Sequence, residues 1–379
     1  MSLNIRIELS SLASKHRSGV AQYTQLLTDA LSSTASINTF GHYFDFLNRQ
    51  PKPQLDVPIA HLEANKLMPL RVYAKAQSLG FAPAFDIFLP KVDLTIFPNF
   101  ATWPSLKSKH TATVIHDLTY IYFPEVVEKN NLSHLQRVVP KSIKNADFII
   151  TVSESVKAEL LKEFKLSADD CIVTPIPPSE VFFNEVSNEQ LHRVKEKYNI
   201  KQDKQYIYFI GTFEPRKNLK TLIESYLLLP QEIKDTYSLI LAGGKGWKNE
   251  STKQLLETAI EAGNDITHLG FIDQEDSPAL FQGAAVFVIP SLYEGFGMPL
   301  LEAMAGGTPV IASDIPVLRE VGGDFATYAD PQNPHSFTEA IVATLALPKP
   351  SRELLQKNVL RYSWQDNVEK ITNKVRSLK

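Results

Sequence analysis

The sequence predicts an α/β protein with two parallel sheets, each covered by helices. Three observations carry this. Its 379 residues exceed what one hydrophobic core ordinarily organises, so two domains are expected. Short β-branched or aromatic runs alternate with helical-period stretches along the whole chain, which is the order of strands joined by crossover helices. The composition, 44% hydrophobic and 21% charged, is globular, and the chain has no internal repeat or low-complexity segment.

In the first half, strands are expected at Asn4–Leu9, Leu94–Phe97, Ala112–Ile115, Phe148–Val152 and Cys171–Thr174. Helices are expected between them, for example at Val20–Leu31 and Leu132–Asn145. The stretch Thr174–Phe183 holds prolines at 175, 177 and 178 and reads as a connection, dividing a domain 1–178 from a domain 179–361. A second series follows: strands at Tyr206–Ile210, Ser238–Ala242, Ile266–Leu269, Val286–Ile289 and Val310–Ala312, with helices at Leu219–Leu229, Thr252–Ala262, Pro278–Ala284 and Leu300–Ala305. Trp364, Val368, Ile371 and Val375 share one helical face, so the segment 362–379 is expected to pack back on the first domain. The less regular stretch His61–Phe85 has two readings. It is either an amphipathic segment facing an acceptor or membrane, or an ordinary surface helix with a buried stripe.

A net charge of −3 argues against nucleic acid as a partner. Residues 1–180 carry 18 Lys and Arg against 17 Asp and Glu, a balance that lends the membrane reading no support. Cys171 is the single cysteine, which excludes an internal disulfide and a cysteine-built zinc site and fits a reducing compartment. The start has charges at Arg6, Glu8, Lys15 and Arg17 and does not read as a signal peptide, and no apolar window is long enough to span a bilayer. A cytoplasmic location is expected, with any membrane contact peripheral, at the inner face.

The richest stretch is Val286–Ala305. A strand ends near Pro290, a loop with Gly295 and Gly297 follows, and a helix is expected from about Pro299, with proline in its favoured first turn. Backbone N–H groups at such a helix start suit an anionic phosphate. Glu294 lies in the loop and Glu302 is placed in the helix's first turn. Carboxylates repel phosphate, so these two point to hydroxyls on either side of an anion site; the plainer roles are a loop charge and a helix-dipole complement. In Ile207–Leu222 a strand ends at Gly211 and a helix begins after Asn218, read as its N-cap. Arg216 and Lys217 then sit at the sheet's C-terminal edge, where they can neutralise a diphosphate, or are a solvated loop pair.

Glu294 and Glu302 resemble the E-x7-E motif of the family 4 (group 1) retaining glycosyltransferases, and Glu214-Pro-Arg-Lys-Asn218 resembles their EPRKN motif. The similarity extends through Gly243-Gly-Lys-Gly-Trp247, Gly270-Phe-Ile272 and Ala303–Asp314. The resemblance implies the GT-B fold, two Rossmann-like domains facing each other across a cleft, and a nucleotide-sugar donor. It assigns Glu294 to donor hexose hydroxyls, Glu302 to the ribose, and Lys217 to the diphosphate. Main-chain amides from Gly297 to Leu301, through Met298, Pro299 and Leu300 and next to Gly295 and Phe296, are assigned to hexose and phosphate. Phe271 and Ile272 match the turn whose backbone meets the nucleobase. Many relatives have an arginine after Gly211 where this chain has Thr212, so Arg216 takes its load or the clamp is weaker. In the first half Ser18-Gly19-Val20 resembles the family's glycine loop, and His116 its histidine near the reacting carbon; a tight turn and a structural strand-end histidine are the plainer readings. Asp117 orients that ring or caps the next segment, and Ser153 reads as a helix cap.

The motifs are most similar to those of bacterial mannosyltransferases of surface-polysaccharide assembly. This implies GDP-mannose as donor and a glycan or lipid-linked acceptor. UDP-sugars and a sugar-nucleotide epimerase stay open. No Asp-x-Asp motif is present, so no metal is required, with weak Mg²⁺ dependence left open.

Overall fold

The computed structural model describes every residue except 1, 14–18, 49, 67, 80, 245 and 379. Lys15, Arg17, Ser18 and Lys245, each named above, and residue 67 of the stretch His61–Phe85 lie outside the described residues.

The chain divides into two compact units: 1–122 with 129–176 and 363–379, and 123–128 with 177–362. The first unit holds a seven-stranded sheet of β1 (Leu3–Glu8), β2 (Ile37–Phe44), β3 (His61–Asn65), β4 (Val92–Phe97), β5 (Ser108–Ile115), β6 (Phe148–Thr151) and β7 (Cys171–Val173). Its order is β3-β2-β1-β4-β5-β6-β7, and every pairing is parallel. The second holds β8 (Gln205–Ile210), β9 (Tyr237–Ala242), β10 (Ile266–Gly270), β11 (Val286–Ile289), β12 (Val310–Ser313) and β13 (Ala326–Ala329), in order β10-β9-β8-β11-β12-β13, again parallel. Parallel strands put all their C-terminal ends at one edge, so the loops after β8, β9, β10 and β11 come together there.

The central strands are buried on both faces: Ile207, Leu239, Leu241, Val286, Val288 and Ile311 form one core with Leu222, Ile223 and Phe337 of the covering helices. In the first unit the stretch His61–Phe85 resolves into β3 and a helix Leu70–Ser78. Tyr73 and Phe85 pack with Phe44, Phe97 and Trp103, so the segment does carry a buried stripe. The helix Trp364–Ser377 lies in this same unit, where Val368, Ile371 and Val375 are buried. Asn367 donates to the Pro175 carbonyl at 2.6 Å, Lys370 to Val173 at 3.0 Å and Lys374 to Asp169 at 2.7 Å.

Candidate functional site

The second unit builds a charged cluster from two loops at the C-terminal edge of its sheet. After β8 the chain forms a single 3₁₀ turn at Pro215–Lys217 and enters the helix Leu219–Leu227 through Asn218, which adopts a left-handed conformation at φ 53°. Asn218 does not cap that helix with its side chain as expected. Its amide instead donates to the carbonyls of Pro290 (2.9 Å) and Pro331 (2.7 Å), while its oxygen accepts from the Thr221 hydroxyl at 2.8 Å. It thus ties the β8 loop to the β11 loop, and Leu292 N–H donating to Arg216 O at 2.8 Å adds a second tie.

Glu294 is held at the join. Lys217 Nζ donates to its Oε1 at 2.6 Å, Ser291 Oγ donates to the same oxygen at 2.6 Å, and Arg216 Nη1 donates to Oε2 at 2.8 Å. Arg216 also donates to the Tyr293 carbonyl at 2.9 Å and to Glu214 Oε1 at 2.7 Å. Glu294 is 5% exposed. Burial alone raises a carboxyl pKa, but Lys217 and Arg216, with the hydrogen bonds from Lys217 and Ser291, outweigh it and hold Glu294 down at about 2. The carboxylate is therefore ionised at any physiological pH and can only accept hydrogen bonds. Its contribution to stability is full above about pH 4.5 and is lost as pH falls towards 2. Urea unfolding should accordingly find the native chain more stable than Glu294→Gln by on the order of 3 kcal/mol at pH 7, with the gap closing as pH falls below 4. A gap independent of pH would contradict this account.

The glycines behind this cluster set its position. A Cβ on Gly243 (φ 128°) would come within 1.9 Å of the Gly211 carbonyl oxygen, and one on Gly246 within 2.0 Å of the Phe213 oxygen. Only bare backbone fits between the β9 loop and the loop bearing Glu214–Lys217. Phe213 N–H donates to Gly244 O at 3.1 Å, and Asn249 donates to Phe213 O at 2.8 Å.

Two expectations about the next helix need correction. Gly297 takes φ 95°, where a side chain would be strained, and the helix begins at Met298. Glu302, 7% exposed, therefore stands in the second turn and cannot act as a first-turn dipole complement. The amides from Gly297 to Leu301 are also not all available. Pro299 has no N–H, and Leu300 N–H donates to Gly297 O at 3.0 Å. Helix geometry leaves Gly297 and Met298 as the amides without an intrahelical acceptor. The Phe296 ring is buried against Tyr362 (centroids 5.7 Å), so only its backbone can serve a ligand.

Thr212 is exposed beside Gly211, and Phe271, 71% exposed, follows Gly270 at the end of β10 with the half-buried Ile272. Gly19 and His116 belong to the first unit. Gly19 opens the helix Gly19–Ser32 after β1. His116, at the end of β5, donates from Nε2 to the Pro98 carbonyl at 2.7 Å, and its ring meets Tyr23 edge-on at 4.9 Å. Burial lowers its pKa, against the pull of Pro98 and Asp117, so the ring is neutral and offers Nδ1 as an acceptor. Asp117 accepts from Thr119 N–H at 3.0 Å, which makes it a cap, and Ser153 accepts from Val156 N–H at 3.2 Å in the same way. Ser291 and Glu214 are the contacts of Glu294 and Arg216 that sequence reasoning left without a role.

Residues 192–361, all in the second unit, match the family described as "Glycosyl transferases group 1". O-antigen chain mannosyltransferase B of Escherichia coli is 36% identical over 248 residues, covering 65% of this chain and 64% of that protein. The aligned part thus spans just under two thirds of that relative. O-antigen chain mannosyltransferase RfbU of Salmonella typhimurium is 27% identical across 97% of this chain and 98% of its own length. Among solved structures, sucrose-phosphate synthase from Thermosynechococcus elongatus superposes with TM-score 0.71 over 99% of both chains at 19% identity. WaaG, a glycosyltransferase involved in lipopolysaccharide biosynthesis, gives 0.66 over 97% of this chain and 99% of its own, at 15% identity. The two parallel-sheet units are those of the GT-B fold. The second unit carries a group 1 glycosyl transferase domain.

Proposed function

We propose that this chain is a retaining hexosyltransferase that moves mannose from GDP-mannose to a glycan or lipid-linked acceptor in surface-polysaccharide synthesis. The observation that carries the reading is Glu294 held ionised between Lys217 and Arg216. A permanent carboxylate accepts sugar hydroxyls. A lysine beside it keeps donors for the diphosphate oxygens that gain charge as the bond to the sugar breaks. Arg216 is spent on Glu294, Glu214 and the Tyr293 carbonyl, which suits a brace for the two carboxylates better than a phosphate ligand. Lys217 then bears the main phosphate load, helped by the amides of Gly297 and Met298.

In the reaction the donor's C1–O bond to phosphate breaks and a bond from C1 to the acceptor oxygen forms on the same face. The acceptor's proton passes to a phosphate oxygen of the leaving nucleoside diphosphate. No carboxylate nucleophile is required, in contrast with the two-carboxylate glycosidases. His116, a neutral acceptor, is assigned to a hydroxyl of the sugar, and Glu302 to the ribose. The mannose donor is supported by the mannosyltransferase names of the relatives above.

Incubation with GDP- and UDP-sugars tests the donor: slow hydrolysis of GDP-mannose to GDP and mannose is expected. Turnover with UDP donors alone would refute the mannose reading. Conversion of the donor to an epimer in the absence of acceptor would make the chain an epimerase.

A further inference from the structure

We infer that the second unit holds a further sugar subsite, a cavity of about 190 Å³ that takes one neutral hexose ring of a glycan. The cavity lies between the starts of the helices that follow β8 and β9, Leu219–Leu227 and Glu250–Glu261. Its polar wall is made by Glu214, Lys220, Lys248, Asn249, Ser251 and Thr252, and Pro215 and Leu219 add an apolar patch. Lys217, Glu294, Gly297 and Phe271 do not line it, so it is separate from the donor cluster.

The wall carries hydrogen-bonding groups that the protein leaves unmet. Asn249 stands just before the second helix and is 3% exposed. An asparagine there ordinarily caps the helix with its side-chain oxygen. Here its amide donates to Phe213 O at 2.8 Å, and its Oδ1 has no partner. A buried carbonyl left unpaired is costly, so this one calls for a donor. The N–H groups of Glu250, Ser251 and Thr252 in the first turn have no acceptor among the described residues. Glu214 gives one carboxylate oxygen to Arg216 at 2.7 Å and engages no described residue with the other.

Donors and acceptors thus stand side by side, and the charges say which ligand they take. Fully ionised phosphate has no proton for Asn249 and would meet the Glu214 carboxylate. Of the two lysines, Lys248 already donates to the carbonyls of Glu125 (2.6 Å) and Val127 (3.0 Å). Lys220 stands 3.7 Å from Glu224. A sugar hydroxyl both gives and accepts a hydrogen bond, and the C–H face of the ring matches Pro215 and Leu219. The volume equals about six water molecules at ~30 Å³ each and falls below the ~300 Å³ of ordinary ligand pockets, room for one ring rather than a nucleotide. Arg216, which holds Glu214, also braces Glu294, so an occupant here is one guanidinium away from the donor carboxylate.

This subsite deepens the hexosyltransferase reading and rests on it for the source of the sugar, a glycan substrate or product, but its test uses binding alone. The full chain, with GDP present in excess, is titrated with methyl α-mannoside and separately with inorganic phosphate by saturation-transfer NMR. The mannoside should bind with a dissociation constant on the order of 1 mM, and phosphate should not bind. Ser251 is exposed at the rim, so Ser251→Trp should plug the cavity and weaken mannoside binding at least tenfold. GDP affinity and unfolding temperature should stay unchanged, and Ser251→Ala, which keeps the backbone N–H, should bind as the native chain does. Mannoside binding that Ser251→Trp leaves intact would overturn the subsite. So would a native chain that takes phosphate instead, or neither. A chain that binds the mannoside through Ser251 but does not bind GDP would leave the subsite standing and overturn the GDP-mannose reading.

Discussion

Glu294→Gln is expected to lower turnover by about a thousandfold while nucleoside diphosphate binding stays intact or tightens. The amide keeps the volume of the carboxylate, so the loops after β8 and β11 stay in place. It loses the fixed negative charge that sugar hydroxyls would meet, and it releases Lys217, 2.6 Å away, to a diphosphate. Glu294→Ala should share the catalytic loss and destabilise by more than the glutamine variant, since it leaves two largely buried cations facing a hole. Transfer rates with titration of GDP binding separate these effects. Near-normal turnover in the glutamine variant would remove Glu294 from its assigned role.

Lys217→Ala should be as damaging but in a different pattern. Turnover is expected to fall about a thousandfold and nucleoside diphosphate affinity at least tenfold, because the main cation facing the leaving group is gone. Stability should change less than in Glu294→Ala. Arg216 and Ser291 remain on the carboxylate, so no buried charge is stranded. Lys217→Arg should recover part of the binding and little of the rate, since a planar fork does not replace a point charge. Steady-state kinetics with calorimetry of GDP binding check this. A variant that loses turnover but holds GDP unchanged would transfer the phosphate load elsewhere.

The positions of most central strands were legible because strands covered on both faces are continuous apolar runs, as in Val286–Ile289 and Tyr206–Ile210. The edge strands β3 and β13 were not, nor was the inner β2, although the edge strands β7 and β10 were. His61–Asn65 and Ala326–Ala329 are half exposed and mix polar with small residues, so their pattern resembles loop. The motif loops were readable from residue type and spacing, yet their mutual geometry was hidden. Arg216 and Glu294 are 78 positions apart, and nothing local says that one guanidinium will brace both Glu294 and Glu214. Asn218 looked like a cap because asparagine usually is one; long-range carbonyls claimed its amide instead. Glu302 was placed one turn early because proline marked the helix start, whereas left-handed Gly297 lets it begin at Met298.

The helix Trp364–Ser377 belongs to the first unit but is synthesised after the whole of the second. On the ribosome, the seven-stranded sheet must wait with Val173 and Pro175 lacking their partners from 370 and 367 until that helix emerges. Trimming the chain at residue 361, where the glycosyltransferase match stops, would damage not the half that was matched but the half that was not.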